Sequence, residues 1–147
     1  MFTTWRLGAA TLFCIFFAMG STQAAAQSAL GTWLTDGGKS QVRISTCGRG
    51  LCGKIVWLKA PNDETGNPKT DSKNADKSLR GRPLMGLSLL SGMTPDRDTR
   101  WTGEIYNPED GKTYKAYMTL TGPQTLLVEG CILGGFICRK QNWVRSQ

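Results

Sequence analysis

The sequence predicts an all-β protein, an antiparallel up-and-down β-barrel of about eight strands. Turn-forming Gly, Pro, Asn and Asp residues recur at short, fairly even intervals, and the segments between them are rich in β-branched and aromatic residues. Most of these segments are separated by turns of the hairpin type. Because about eight antiparallel strands close into a small barrel, we expect an interior that can hold one small ligand.

Three strands are predicted before the middle of the chain. Residues 30–35 (LGTWLT) end at the turn sequence DGG, which is typical of a hairpin. Residues 40–46 alternate strictly, with Val42 and Ile44 on one face and polar residues on the other. Residues 51–58 follow the tight turn sequence GRG, so these strands form a continuous meander.

The segment 59–83 interrupts this pattern. It has no apolar periodicity and is dense in Asn, Asp, Pro, Lys and Gly, which predicts a long loop. Loops of this length are uncommon inside a compact domain and are often functional or mobile. A solvated connection without a function of its own is the alternative.

Strand signals return after the loop and continue to the end of the chain. On residues 112–121, Tyr114, Ala116, Met118 and Leu120 share one face. The sequence NPEDG places Pro early and Gly late, as in a hairpin turn. The pattern of residues 85–90 also fits a short helix. The predicted strands of this half are 85–90, 101–106, 112–121, 124–131 and 139–145.

The first 26 residues have the three regions of a secretory signal peptide. Arg6 precedes an apolar run of 13 residues, 7–19, and small residues follow up to a cleavage site before Gln27. A retained membrane anchor is the alternative, but the run is shorter than the roughly 20 residues that span a bilayer. We therefore expect an exported, periplasmic domain of residues 27–147 with no transmembrane segment. Loss of Arg6 lowers the net charge from +7 to +6.

The exported part retains four cysteines in two local pairs, Cys47 with Cys52 and Cys131 with Cys138. Disulfides persist outside the cytoplasm, so an even number of cysteines favours two structural disulfides, with local pairing preferred. A zinc site is the alternative, but the C-x6-C spacing of the second pair is unusual for one. A thioredoxin-like redox motif requires C-x-x-C, which is absent.

Histidine is absent from the whole sequence. This excludes Ser-His-Asp and Cys-His catalytic systems and histidine-based metal sites. The motif formed by Asp71, Asn74 and Asp76 lacks the spacing of a calcium loop and is typical of a turn. We expect neither a cofactor nor a metal. The basic residues are scattered and the protein is expected to be exported, so nucleic acid is not an expected partner.

Two tryptophans stand near the ends of the predicted domain, Trp33 in the sequence GTW and Trp143 in the sequence WVR. An indole near the start of the first strand needs cover, and Arg145 on the last strand can lie over the Trp33 ring by a cation–π interaction. Such a pair would seal one end of a barrel. A core tryptophan with an unrelated surface arginine is the alternative.

Several motifs together resemble one family. They are GTWLTDG, CGRGLCGKIVWL, the D-x-x-N-x-D loop, RGRPLMGL, WTGEIYNPEDGKTYKA and the closing QNWVR. This set resembles the DUF2147 family of small exported bacterial proteins, and the G-x-W start with the terminal arginine is similar to the pattern of lipocalins and other calycin barrels. The resemblance implies a calycin/lipocalin-like barrel and assigns no reaction.

The sequence supports three functional hypotheses. The first is non-catalytic binding of a small apolar or amphipathic molecule at the barrel mouth. The second is an envelope protein-interaction module with a filled barrel, and the third is a carboxylate-based hydrolase. The candidate ligand-binding residues are Asp71, Asn74, Arg82, Tyr106 and Tyr114.

Overall fold

A computed structural model describes residues 28–146 of the 147-residue chain. The predicted signal peptide, residues 1–26, lies outside the described residues. Eight antiparallel strands follow one another around a closed barrel. They are β1 (Gly31–Leu34), β2 (Ser40–Cys47), β3 (Gly50–Leu58), β4 (Ser88–Arg97), β5 (Arg100–Asn107), β6 (Lys112–Gly122), β7 (Thr125–Ile132) and β8 (Ile137–Arg145). The predicted fold class is thus confirmed.

The up-and-down order gives the barrel two different ends. One end, here called the mouth, carries the β1–β2 turn, the long β3–β4 loop, the β5–β6 turn and the β7–β8 turn. The other end, here called the floor, carries the segment before β1 and the remaining three turns. The barrel closes where β1 pairs with β8, in a register that aligns Trp33 with Arg145.

The inward-facing side chains fill the barrel as one hydrophobic core. The alternation predicted on β6 holds, since Ala116, Met118 and Leu120 are buried while their neighbours are more exposed. Two tryptophans, Trp33 and Trp143, are the largest fully buried side chains. The other large apolar side chains that are fully buried are Val42, Ile44, Leu90, Met93, Met118, Leu126 and Val128.

The fourth strand differs most from its prediction. It begins at Ser88 rather than at residue 85, because Leu87 donates its amide to the carbonyl of Leu84 in a turn that contains Gly86 at φ +83°. It also continues to Arg97, past a glycine and a proline that usually interrupt strands. Register shifts along its pairing with β5 accommodate both residues.

The segment between β3 and β4 is irregular, as predicted, apart from one short 3-10 turn at Lys77–Leu79. It is folded back on itself by an isolated bridge between Thr70 and Pro83. Within residues 28–146, no helix has the length and hydropathy that a membrane crossing requires.

Candidate functional site

The carboxylate of Asp71 is the centre of a polar network at the barrel mouth. It is fully buried, and the Tyr106 hydroxyl donates to its Oδ1 at 2.6 Å. Its Oδ2 accepts from Asn74 Nδ2 at 2.7 Å and from Arg82 Nε and Nη2 at 2.8 and 2.7 Å. Asn74 Nδ2 also donates to the Tyr106 hydroxyl at 2.9 Å. Four of the five candidate residues thus form one hydrogen-bonded cluster.

The backbone of the long loop prepositions this cluster. The Asp71 amide donates to the Arg82 carbonyl at 2.9 Å, and the Asn74 amide donates to the Asp71 carbonyl at 3.0 Å. Arg80 Nε donates to the Asn74 carbonyl at 2.8 Å. Since Tyr106 is near the end of β5, its bonds to Asp71 and Asn74 attach the loop to the barrel.

The ionisation of Asp71 and Tyr106 follows from this geometry. Burial raises the pKa of Asp71, but the hydrogen bonds from Tyr106, Asn74 and Arg82 and the Arg82 charge outweigh burial, so the net pKa is lowered. Burial, followed by the bond to Asp71, raises the pKa of Tyr106. A charged carboxylate with neutral phenol and amide neighbours is therefore the stable state of the network.

A second contact fixes the loop against the β5–β6 turn. Gly111 has φ +70°, and a Cβ atom at this position would collide with the backbone carbonyl of Lys73 in the long loop. In the same turn, the Tyr114 hydroxyl donates to Asp110 Oδ2 at 2.5 Å. Tyr114 therefore stands apart from the Asp71 network, although it belongs to the same end of the barrel.

A cleft of about 780 Å³ opens between the long loop, the β5–β6 hairpin and the β7–β8 hairpin. Asn74, Arg82, Tyr106 and Tyr114 line it, whereas the buried Asp71 stands behind them. Four of the five candidate residues therefore line the cleft. The fifth, Asp71, does not line it but is bonded to three of them. The other lining residues are Ala75, Asp76, Leu79, Gly111, Lys112, Thr113, Lys115, Cys131, Ile132 and Leu133.

Several of these lining residues were not identified from the sequence. Two strands, β4 and β5, lie between Arg82 and the two lysines in the sequence, so only the fold brings the three basic residues together. Ile132 and Leu133 belong to the uncharged sequence CILGGFIC. Turns are usually polar, so an apolar run across a turn is unusual. This feature of the sequence could have identified the two residues.

The floor of the barrel carries the predicted pair of Trp33 and Arg145. The Arg145 guanidinium lies 4.2 Å from the centroid of the Trp33 ring, and the indole Nε1 donates to the carbonyl of Ala29 at 2.8 Å. Trp143 packs in the core, and its Nε1 donates to Gln141 Oε1 at 2.9 Å. None of these three residues lines the mouth cleft.

Both predicted disulfides are present in the local pairing. Cys47–Cys52 joins the facing ends of β2 and β3 at the floor, and Cys131–Cys138 joins β7 to β8 at the mouth. The alternative zinc site is therefore excluded, because the four thiols are consumed in pairs. Among residues 28–146, no group of three or more His, Cys, Asp or Glu residues could hold a metal ion.

The closed eight-stranded antiparallel barrel, with its tryptophan and arginine at the floor, is a calycin/lipocalin-like barrel. The chain belongs to the family described as "Uncharacterized protein conserved in bacteria (DUF2147)", which matches residues 31–145. The resemblance noted from the sequence is confirmed. A comparison with curated proteins finds no match.

Among solved structures, the chain is similar to protein HP1028 from Helicobacter pylori, which is described as belonging to the lipocalin family. The TM-score is 0.69 at 22% identity, and the match covers 82% of this chain and 84% of that one. At this identity, the similarity establishes the fold alone.

Proposed function

We propose that the protein binds a small amphipathic molecule with an anionic group in the mouth cleft, without catalysis. The observation that carries the proposal is the division of the cleft into two kinds of surface. Leu79, Ile132 and Leu133 supply apolar area. Arg82, Lys112 and Lys115 are the basic lining residues, and Asp76 is the acidic one. Since Arg82 is paired with the buried Asp71, the two lysines carry the remaining positive charge of the cleft. Pockets that combine apolar walls with a few polar groups are typical of small-molecule sites.

The position of the ligand follows from the packing of the barrel. The inward faces of the strands are occupied by buried side chains that include Trp33, Trp143 and Met118. A ligand would therefore sit above the core, between the long loop and the two mouth hairpins. This differs from the barrel interior that eight strands alone suggest.

The acidic groups at the mouth favour binding over hydrolysis. A carboxylate that acts as general acid needs a raised pKa. Burial raises the pKa of Asp71 and of Asp110, but hydrogen bonds outweigh burial and lower both values. Bonds from Ser78 lower the pKa of Asp76. The proposal also places the protein in the periplasm, which the two disulfides and the bacterial family support.

The test compares laurate with dodecanol, which share a chain length and differ in charge. Protein expressed from the full sequence is titrated by calorimetry below the micelle concentration, and its N-terminus is established by intact mass. We expect laurate to bind more tightly than dodecanol. The double variant Lys112→Gln/Lys115→Gln should weaken laurate binding about fivefold or more, since each exposed ion pair contributes up to about 1 kcal/mol.

The matched control is Lys54→Gln/Lys59→Gln, which removes two exposed lysines that do not line the cleft. It should bind laurate as the unaltered protein does. Equal loss in both double variants would show that only net charge matters. Native mass spectrometry of the purified protein gives a second readout, because a co-purifying mass lost on unfolding would identify the natural ligand. Absence of laurate binding together with a bare protein mass contradicts the proposal.

A further inference from the structure

The turn between β7 and β8 exposes a cluster of large apolar side chains. Phe136 is 90% exposed and Leu133 is 68% exposed, and Ile132 and Ile137 beside them are also exposed. Residues 132–137, here called the apolar tip, have the sequence ILGGFI and contain no polar side chain. Scattered apolar side chains are normal on protein surfaces, but a contiguous cluster of this kind marks an interaction site.

The structure holds the apolar tip in a fixed, protruding form. Cys131 and Cys138 are paired across the two strands and joined by a disulfide, directly below the tip. Within the tip, the Phe136 amide donates to the Leu133 carbonyl at 3.4 Å in a 3-10 turn. Leu133 adopts φ +52°, a left-handed conformation that non-glycine residues rarely occupy. The disulfide at its base limits movement of the tip relative to the two strands.

The charges around the tip are predominantly positive. Glu129 is the last acidic residue of the sequence, and it is paired with Lys140 at 3.4 Å. Arg139 directly follows the disulfide and is exposed. Lys115 on β6 is also exposed, and its register partner is Cys131 at the base of the tip. Arg139 on β8 and Lys115 on β6 thus border the apolar surface, and Glu104 on β5 is the other register partner of Lys115.

We propose that the apolar tip inserts into the surface of an anionic lipid bilayer. Apolar and aromatic side chains of surface-bound proteins occupy the boundary between headgroups and acyl chains, and neighbouring Lys and Arg side chains attract anionic headgroups. The tip supplies the first feature, and Arg139 and Lys115 supply the second. A bilayer also requires no directional hydrogen bond from the tip, which has no side chain to make one.

The test measures binding to vesicles of phosphatidylethanolamine with phosphatidylglycerol, and to vesicles of phosphatidylcholine alone. Protein expressed from the full sequence is used, and all variants are compared at the same N-terminus as fixed by intact mass. We expect sedimentation with the anionic vesicles, weakened by added salt. The double variant Phe136→Ser/Ile137→Ser should bind at least about tenfold more weakly, because two large apolar side chains no longer leave water.

The matched control is Val144→Ser, which removes an exposed apolar side chain at the floor end of β8. It should bind vesicles normally. Neither Phe136 nor Ile137 lines the mouth cleft, so the double variant should keep its affinity for laurate. This separates failure of the membrane proposal from failure of the ligand proposal.

Three results would overturn the membrane proposal. The first is equal vesicle binding by the unaltered protein and the Phe136→Ser/Ile137→Ser variant, and the second is no binding by either. The third is self-association that depends on Phe136 in a protein that does not bind vesicles, since the tip would then cover a second copy of the chain. Unfolding midpoints measured alongside establish that the variants keep the barrel.

Discussion

Arg145, on the last strand, covers the indole ring of Trp33, on the first, at 4.2 Å from its centroid. The same guanidinium donates to the carbonyls of Leu30 at 2.7 Å, Ser28 at 2.8 Å and Pro123 at 2.9 Å. One side chain thus joins β8, the segment before β1 and the β6–β7 turn. Because β1 is the shortest strand and its register with β8 closes the barrel, Arg145 reinforces the seam that has the fewest backbone pairs.

We expect Arg145→Ala to lower the free energy of unfolding by about 2 kcal/mol, from three exposed hydrogen bonds and one cation–π contact. Arg145→Lys should recover only part of this loss, because the ammonium group of lysine lacks the planar, forked donors with which the guanidinium reaches three carbonyls. Urea unfolding provides the measurement. The control Arg49→Ala removes an exposed arginine from the β2–β3 turn and should change stability by less than about 0.5 kcal/mol. Equal effects of both changes would contradict a sealing role.

The Asp71 network provides the second prediction. Asp71→Ala leaves the Tyr106 hydroxyl, the Asn74 amide and the Arg82 guanidinium without their common acceptor. Because Asp71 is fully buried while Arg82 is 37% exposed and can turn to water, we expect a loss of about 3 kcal/mol in urea unfolding. Asp63→Ala, in an exposed turn of the same loop, should have a clearly smaller effect. A loss no larger than that of the control would exclude a structural role for the network.

The third prediction is that Asp71 makes the stability of the folded protein depend on pH in the acidic range. Burial raises the pKa of Asp71, but the bonds from Tyr106, Asn74 and Arg82 lower it below the ordinary value of 3.8. The unfolded chain therefore takes up this proton at a higher pH than the folded one. The stability that Asp71 contributes is fully present above the unfolded pKa and is lost as pH falls through the folded pKa.

Urea midpoints between neutral pH and about pH 2.5 measure this effect. The midpoint should stay nearly constant from about pH 8 to 5, because the sequence has no histidine. Below about pH 4 it should fall, and the fall should be smaller in Asp71→Asn, whose side chain does not titrate. If the urea midpoint falls equally steeply with pH in both proteins, the loss of stability in acid comes from other carboxylates.

The sequence predicted the barrel well because alternation and turn chemistry are local. Val42 and Ile44 on β2, and Ala116, Met118 and Leu120 on β6, face the core as their spacing indicated. The exception is β4, where Gly92 and Pro95 resemble turn residues. Their accommodation depends on register shifts against β5, a property of strand pairing that the pattern within one strand does not contain.

The candidate site was only partly predictable, for a related reason. Asp71 and Asn74 were recognised within one short motif, and Arg82 and Tyr106 were proposed as candidates. That all four form one network depends on how the long loop folds back over β5. The assembly of Arg82, Lys112 and Lys115 around one cleft likewise requires the long loop to be packed against the barrel.

The fourth prediction tests the contact between the long loop and the β5–β6 turn. In Gly111→Ala, the new methyl group would collide with the Lys73 carbonyl, and the residue would keep an unfavourable φ of +70°. We expect a stability loss of about 3 kcal/mol or displacement of the loop. Gly66→Ala is the control, because it has φ +86° with nothing within 4 Å, and it should lose about 1–2 kcal/mol from backbone strain alone.

Hydrogen exchange separates the two outcomes for Gly111→Ala. If the loop is displaced, the Asp71 and Asn74 amides, which are hydrogen-bonded within the loop, should exchange faster, while core amides of β6 stay protected. If the loop stays docked and the barrel is strained, protection should fall throughout. Equal stability of Gly111→Ala and Gly66→Ala would mean that the loop does not rest on the turn.

The last prediction concerns the filled interior. Met118 on β6 is fully buried, whereas Met85 in the long loop is 43% exposed, so the two residues form a matched pair. Met118→Ala should lower the free energy of unfolding by about 3 kcal/mol, because the neighbouring strands cannot close the space left behind. Met85→Ala should cost less than about 0.5 kcal/mol. A similarly small loss for Met118→Ala would mean that the interior is loosely packed, and the ligand site would then belong inside the barrel rather than at its mouth.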